Sequence, residues 1–111
     1  AIYLIAYIHY FKKEYAVARK YIYKLIKNFP VSKLIPKTYL LLGDTYQNYL
    51  NYPLKEKAYL DVLERDPLNR IAYDRLGDLY FQLRLYDKAL QMYNQALISQ
   101  LRLQKLISKI P

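Results

Sequence analysis

The chain has 111 residues, a hydrophobic fraction of 54% and only two glycines, which predicts one domain with a substantial core and short loops. It is basic, with 18 Lys and Arg against 9 Asp and Glu, and the absence of cysteine excludes a disulfide framework and a thiolate nucleophile. With one histidine and no glycine-rich phosphate loop, the chain shows no common catalytic motif, so we expect no enzyme, no cofactor and no metal site.

The first predicted helix runs from residue 1 to about Phe11 and is apolar on nearly every side, which indicates burial on several faces. It is too short to cross a bilayer, which takes about 20 residues. It also lacks the basic leader of a signal peptide. We therefore expect the chain to begin inside a helix of a longer protein. The compartment stays open between the cytoplasm and the bacterial periplasm, because a targeting segment could precede residue 1.

Five amphipathic helices follow: residues 15–27, a helix that begins between 32 and 37 and runs to about 48, residues 53–65, a helix that ends before 83–85, and one from about 86 to 108. Pro30 and Pro67 mark two of the ends, since the residue before a proline avoids helical geometry. The break before the last helix is so short that the helices on either side must pack antiparallel. Gly77 and Ala89 are expected where these two helices approach closely. The last helix meets no Gly, Pro or Asp after Gln95, so we expect it to be unusually long.

Internal periodicity decides the fold. Eight residues recur at an offset of 34 positions, with Tyr39, Leu42, Gly43, Asp44, Tyr46, Tyr52, Tyr59 and Leu63 returning as Tyr73, Leu76, Gly77, Asp78, Tyr80, Tyr86, Tyr93 and Leu97. A 34-residue helix–turn–helix unit with Leu-Gly-x-x-Tyr in its first helix resembles the tetratricopeptide repeat. The resemblance implies an all-α fold, a right-handed α-solenoid of antiparallel helix pairs, as a single domain over residues 1–111. The implied units are about 1–32, 36–69 and 70–103, with a C-terminal helix extension over 98–109.

Parts of the chain depart from the repeat pattern. In the first unit Ala6 stands where the other units have glycine, and three additional residues, 33–35, separate this unit from the second. His9 falls at a core position and is interpreted as a histidine at the edge of the core. In the second unit Lys55 takes the place of Ala89, so we expect its aliphatic side chain to extend out of the packed helix–helix interface toward solvent.

In this family the first helix of each unit lines a concave groove in which a segment of a partner docks. The resemblance implies that the groove is lined by Tyr3, Tyr7, Tyr10, Lys37, Leu40, Asp44, Gln47, Asp74, Asp78 and Phe81. Such a groove is aromatic at one end and acidic at the other, which suits an apolar partner segment with basic flanks. The subtype that grips a C-terminal carboxylate is not indicated, because only Arg75 matches its set of basic and amide side chains.

The C-terminal helix offers a possible second interface, whose apolar residues are Leu101, Leu103, Leu106, Ile107 and Ile110. An exposed apolar stripe of this size typically contacts a partner. The partner would be another protein or a second copy of the chain.

The predicted function is therefore a non-enzymatic protein–protein interaction or scaffold module, with no membrane span. Two alternatives stay open. A homo-oligomerisation module would use the same apolar surfaces. A nucleic-acid-binding helical repeat would use the N-terminal half, because residues 1–43 carry eight Lys and Arg but one acid. We regard nucleic acid as the weaker alternative, because only Tyr21 and Tyr23 lie among these bases for stacking.

Overall fold

The computed structural model describes residues 1–110, so the expected end of the domain at residue 111 lies just outside it. Its helices are α1 (Ile2–Phe11), α2 (Tyr15–Asn28), α3 (Ile35–Asp44), α4 (Tyr52–Arg65), α5 (Arg70–Gln82) and α6 (Tyr86–Ile107), with a 3₁₀ turn at Tyr49–Asn51. No strand occurs in this part of the chain, which confirms the all-α prediction. Contacts between Cα atoms divide the chain into two compact units, residues 1–65 with α1–α4 and a second unit that begins at Asp66.

The first unit consists of two helical hairpins, α1–α2 and α3–α4, which are joined by contacts between α2 and α3. Its core takes side chains from all four helices: Ala6, Ile22, Leu41, Leu42, Tyr46 and Ala58. Arg19 of α2 adds a polar link, because its guanidinium donates to the backbone oxygen of Thr45 at 2.9 Å, just after α3. These contacts bring α1 and α3, which carry most of the predicted groove residues, into one packed body.

The second unit is the hairpin of α5 and α6, joined at residues 83–85 as expected. Asn69 begins α5 by accepting a hydrogen bond from the backbone N–H of Ala72 at 2.9 Å, as a helix N-cap does. Leu76 and Ala89 are fully buried between the two helices. Gly77 is needed because the Tyr93 ring occupies the space of a side chain there, and an added Cβ would lie 2.5 Å from Tyr93 Cε1.

The turns inside the first and last hairpins share an unusual backbone conformation. Lys13 and Arg84 have φ angles of 61° and 62°, in the left-handed region that favours glycine. In each turn the next residue then donates back to the preceding helix, Glu14 to the oxygen of His9 and Leu85 to that of Tyr80, both at 2.9 Å. The two turns therefore have the same geometry although neither contains a glycine.

Two expectations about the middle hairpin are wrong. The third helix ends at Asp44 rather than near Asn48. Lys55 does not reach toward solvent: its ammonium donates to the backbone oxygens of Gly43 at 3.1 Å and Tyr46 at 3.3 Å. The position of Lys55 helps to explain the early end of α3. Lys55 and Arg19 donate to backbone carbonyl groups that would otherwise accept hydrogen bonds from the N–H groups of a further helical turn.

The last helix is as long as the sequence predicts, with 22 residues against 13 in α5. Ser99 is its last buried residue, and every residue from 100 to 110 is exposed. The part of α6 that follows Ser99 therefore has no cover within the described chain.

Candidate functional site

The tyrosines predicted on α1 lie along one side of that helix. The ring centroids of Tyr3 and Tyr7 are 6.0 Å apart, and those of Tyr7 and Tyr10 are 6.5 Å apart, each pair roughly parallel. Tyr3 and Tyr10 pack partly on the core, whereas Tyr7 is 39% exposed and also meets the edge of Phe11. The three rings therefore form a continuous aromatic face, with Tyr7 the most accessible of them.

Residues of α3 adjoin this aromatic face. The Lys37 ammonium lies 5.6 Å from the centroid of the Tyr3 ring, in the geometry of a cation–π contact. Burial raises the pKa of the Tyr3 hydroxyl, and the nearby Tyr7 and the Asp44 carboxylate raise it further. Within the first unit the structure thus brings Tyr3, Tyr7, Lys37 and Asp44 to one surface.

Leu40 and Gln47 complete the predicted groove residues of the first unit. Leu40 is half-buried, so its side chain is partly used in packing. Gln47 is exposed, and its amide donates to the backbone oxygen of Asp44 at 2.8 Å. Gln47 therefore helps to end α3, which is a role that the sequence did not indicate.

The two repeated aspartates hold tyrosines of the facing helices. The Tyr59 hydroxyl donates to the Asp44 carboxylate, and the Tyr93 hydroxyl donates to the Asp78 carboxylate at 2.5 Å. The second bond and partial burial raise the pKa of Tyr93 to about 12. The sequence reasoning missed these partners, although the signal was present: in both units a Gly-Asp pair is followed by a tyrosine at the same spacing.

The other predicted groove residues of the second unit lie on α5. Asp74 pairs with Arg70 one turn earlier, with 3.2 Å between Nη1 and Oδ2. Phe81 is 58% exposed and meets the edge of the Tyr86 ring at a centroid distance of 5.5 Å. Phe81 therefore presents an accessible aromatic surface, whereas Asp74 already forms an exposed ion pair with Arg70.

The predicted second interface lies on the exposed end of α6 and has two sides. Leu103, Leu106 and Ile107 follow the buried residues Ala96 and Ser99 at spacings of three and four, so they continue the face that packs on α5. Leu101 instead follows Leu97 at a spacing of four, and Leu97 follows Leu90 at a spacing of seven, so these three leucines lie on the opposite side of the helix. All of these leucines and Ile107 are exposed, as is Ile110 beyond the helix end.

The basic N-terminal cluster is partly engaged within the first unit. Lys12 pairs with Glu14 at 3.2 Å, and Arg19 binds the end of α3 and lies 4.7 Å from the Tyr46 ring centroid. Tyr21 stacks on His9 at 5.6 Å, and the Tyr23 hydroxyl bonds that of Tyr46 at 2.9 Å. The two tyrosines that could stack nucleic-acid bases therefore already contact other aromatic side chains.

His9 lies at the edge of the core, as expected. Its imidazole is half-buried, stacks on Tyr21 and contacts the Glu14 carboxylate at 3.2 Å through Nδ1. Hydrogen bonds from His9 and then Lys12 hold the pKa of Glu14 below its ordinary value. Residues 1–110 contain no cluster of His, Cys, Asp or Glu suited to a metal ion, and their helices include none long and apolar enough to span a bilayer.

Comparison with known families finds a match to one segment of the chain. The family model described as tetratricopeptide repeat matches residues 71–97, which cover most of α5 and the first half of α6. Comparison with curated proteins found no significant match. The repeat is generally a non-catalytic module for protein–protein interaction and scaffolding. The sequence resemblance is thus supported by a family match over residues 71–97, which lie in the α5–α6 hairpin of an all-helical chain.

Proposed function

We propose that this chain is a non-enzymatic module that recruits another protein through the exposed end of α6. One observation carries the proposal: Leu103, Leu106 and Ile107 continue the packing face of α6 beyond the last residue that α5 covers. Exposed fractions of 43% at Leu103 and 64% at Ile107 leave an apolar stripe in water. A helix of a partner would bury this stripe as α5 buries the first half of the face.

Predicted groove residues supply further contact surfaces within the same proposal, one in each unit. The aromatic face of α1 offers Tyr7 for an apolar partner segment, and Phe81 offers a comparable surface on α5. Aromatic side chains of this kind often dominate the energy of an interface. Asp44 and Asp78 are weaker candidates for direct contact, because each carboxylate already accepts a bond from a tyrosine.

The test compares two variants of α6 in a pull-down from a lysate of the source organism. Leu103→Glu with Ile107→Glu places two charges on the apolar stripe, whereas Gln91→Glu with Gln95→Glu places two charges at exposed positions of the same helix about two turns before the stripe. Proteins that bind the wild type and the control variant but not the stripe variant are the expected partners. Equal retention by both variants would exclude the stripe as the binding surface.

Tyr7→Ser and Phe81→Ser test the aromatic surfaces in the same experiment. Sedimentation velocity of the purified wild type separates the remaining alternative, a homo-oligomerisation module. If the wild type is oligomeric and only the stripe variant is monomeric, the stripe binds a second copy rather than a different protein.

A further inference from the structure

The loop between α2 and α3 contains none of the predicted interface residues, although Phe29, Ser32 and Leu34 line a shallow cavity with Tyr3. Thirteen positions separate Pro30 from Gly43, whereas ten separate Pro67 from Gly77, so this loop contains the three additional residues of the repeat pattern. In the loop between α4 and α5, Asn69 caps the following helix. The longer loop instead exposes three large apolar side chains, those of Phe29, Val31 and Leu34.

Hydrogen bonds hold the longer loop in a defined shape. The backbone N–H of Ser32 donates to the oxygen of Phe29 at 3.1 Å, which closes a turn with Pro30 in its second position. The Ser32 hydroxyl then accepts from the N–H of Leu34 at 3.1 Å. Val31 is left at the tip of the turn with 96% of its surface exposed, the highest value among the large apolar side chains that the structure describes.

Val31 protrudes at the tip of the turn, whereas Phe29 and Leu34 beside it partly line a shallow cavity next to Tyr3. Phe29 is 51% exposed and Leu34 is 40% exposed, on either side of Val31. Folding gains nothing from an apolar side chain in water, and such a side chain is stabilised when it enters an apolar phase. A protruding apolar tip fits an occupant that can be penetrated, such as the acyl boundary of a bilayer.

The charged residues that neighbour the loop along the chain are all basic. No acidic residue occurs between Glu14 and Asp44, and the exposed Lys24, Lys27 and Lys33 flank the loop. Lysines in this position attract the anionic headgroups of a membrane surface. A nucleic acid would also attract them, but its backbone offers no apolar phase for Val31.

We propose that the α2–α3 loop docks this chain peripherally on an anionic membrane surface. Val31 enters the boundary between headgroups and acyl chains, and the lysines contact lipid phosphates. This contact needs no membrane-spanning helix and is independent of partner binding by α6.

Fluorescence of an introduced tryptophan tests insertion, because the chain contains no tryptophan of its own. Val31→Trp is mixed with phosphatidylcholine vesicles with or without phosphatidylserine, and Leu50→Trp, at another highly exposed site, is the control. We expect a blue shift and quenching by brominated lipid only for Val31→Trp and only with phosphatidylserine. No shift at this position, or the same shift at both positions, overturns the proposal.

Vesicle co-sedimentation tests the charges with two variants that each remove three exposed bases. Lys24→Gln with Lys27→Gln and Lys33→Gln should weaken binding by about fivefold per lysine. Arg102→Gln with Lys105→Gln and Lys109→Gln, on the end of α6, should leave binding unchanged. Stronger loss with the α6 variant overturns the proposal, as does binding of single-stranded RNA by the wild type without binding of vesicles. Circular dichroism of each variant checks that the helices are retained.

Discussion

The ring of Tyr93 fills the space beside the backbone of Gly77, so that a Cβ at position 77 would lie 2.5 Å from Cε1 of Tyr93. The same relationship occurs one repeat earlier, where a Cβ on Gly43 would lie 2.4 Å from Tyr59 Cε1. In the first hairpin, Ala6 replaces the glycine and Ile22 replaces the tyrosine, and both are buried in one cluster. Glycine therefore faces tyrosine in the second and third hairpins, whereas the larger alanine accompanies the smaller isoleucine in the first.

Gly77→Ala should therefore destabilise the second unit. The added methyl group gains helix propensity, but it overlaps the Tyr93 ring and forces the ring or the helix to move. We expect a net loss of about 1–2 kcal/mol in the free energy of unfolding, measured by urea denaturation.

Tyr93→Ile supplies the control for this prediction, because together with Gly77→Ala it recreates the Ala6–Ile22 pair of the first hairpin. Gly77→Ala should cost less in the Tyr93→Ile background than in the wild type, by about 1 kcal/mol of coupling. Additive effects of the two substitutions would show that the ring and the glycine are not packed against each other.

The bond between Tyr93 and Asp78 predicts a loss of stability at high pH. Hydrogen bonding to the Asp78 carboxylate, then burial, raises the pKa of Tyr93 from 10.0 to about 12. Between these values the unfolded chain releases the phenol proton while the folded chain keeps it, so deprotonation favours unfolding. The stabilisation that the Tyr93–Asp78 bond provides is fully present below pH 10.0 and is lost as the pH rises to about 12.

The measurement is the free energy of unfolding at about pH 9 and at about pH 11. The wild type should lose more stability across this interval than Tyr93→Phe, which cannot ionise. Tyr86→Phe, an exposed tyrosine on the same helix, should follow the wild type. A Tyr93→Phe variant with the full wild-type pH dependence would disprove the role of this bond.

Lys55→Ala should destabilise the first unit although it restores the residue type of the repeat. The substitution removes two charge-assisted hydrogen bonds to the carbonyl groups of Gly43 and Tyr46. We expect a loss of about 1–2 kcal/mol by urea denaturation. Lys57→Ala, which removes only an exposed ion pair with Asp61, should change stability by less than about 0.5 kcal/mol. A more stable Lys55→Ala variant would contradict the capping role.

Arg84→Gly should stabilise the second unit, because glycine adopts the left-handed backbone of this turn without steric cost. The greater freedom of glycine in the unfolded chain offsets part of this stabilisation. We expect the free energy of unfolding to rise by about 0.5–1 kcal/mol. Gln91→Gly, an exposed position inside α6, is the matched control and should lose about 1 kcal/mol. Thermal unfolding should show a higher midpoint for Arg84→Gly and a lower midpoint for Gln91→Gly. A destabilised Arg84→Gly would refute this account of the turn.

Repetition made much of the fold predictable from the sequence. The recurrence of the Leu76, Gly77 and Tyr80 pattern at a fixed offset identified the helical hairpins. The absence of helix-breaking residues after Gln95 predicted the length of α6. The end of α3 was not predictable, because it depends on where the ammonium group of Lys55 lies in three dimensions. Periodicity gives the face of a helix on which a side chain starts, but not the acceptor that a long side chain reaches.

The sequence predicted on which helix face the candidate residues lie, but not which other side chains they contact. Tyr3 and Tyr7 were expected on one face, and their rings do lie together on α1. The engagement of Asp78 by a tyrosine was missed, because an exposed acid and a hydrogen-bonded acid look alike in a sequence. Whether these surfaces bind a partner stays a prediction.

The exposed end of α6 gives the helix two apolar edges at once. Residues 100–107 extend roughly 12 Å at the rise of an α-helix, with Leu103 and Ile107 on one edge and Leu101 on the other, in line with Leu97. A protein that covers one edge leaves the other in water. If the proposed partner covers one edge, the other edge is available to a second protein, and a tethered protein would meet it at a raised effective concentration.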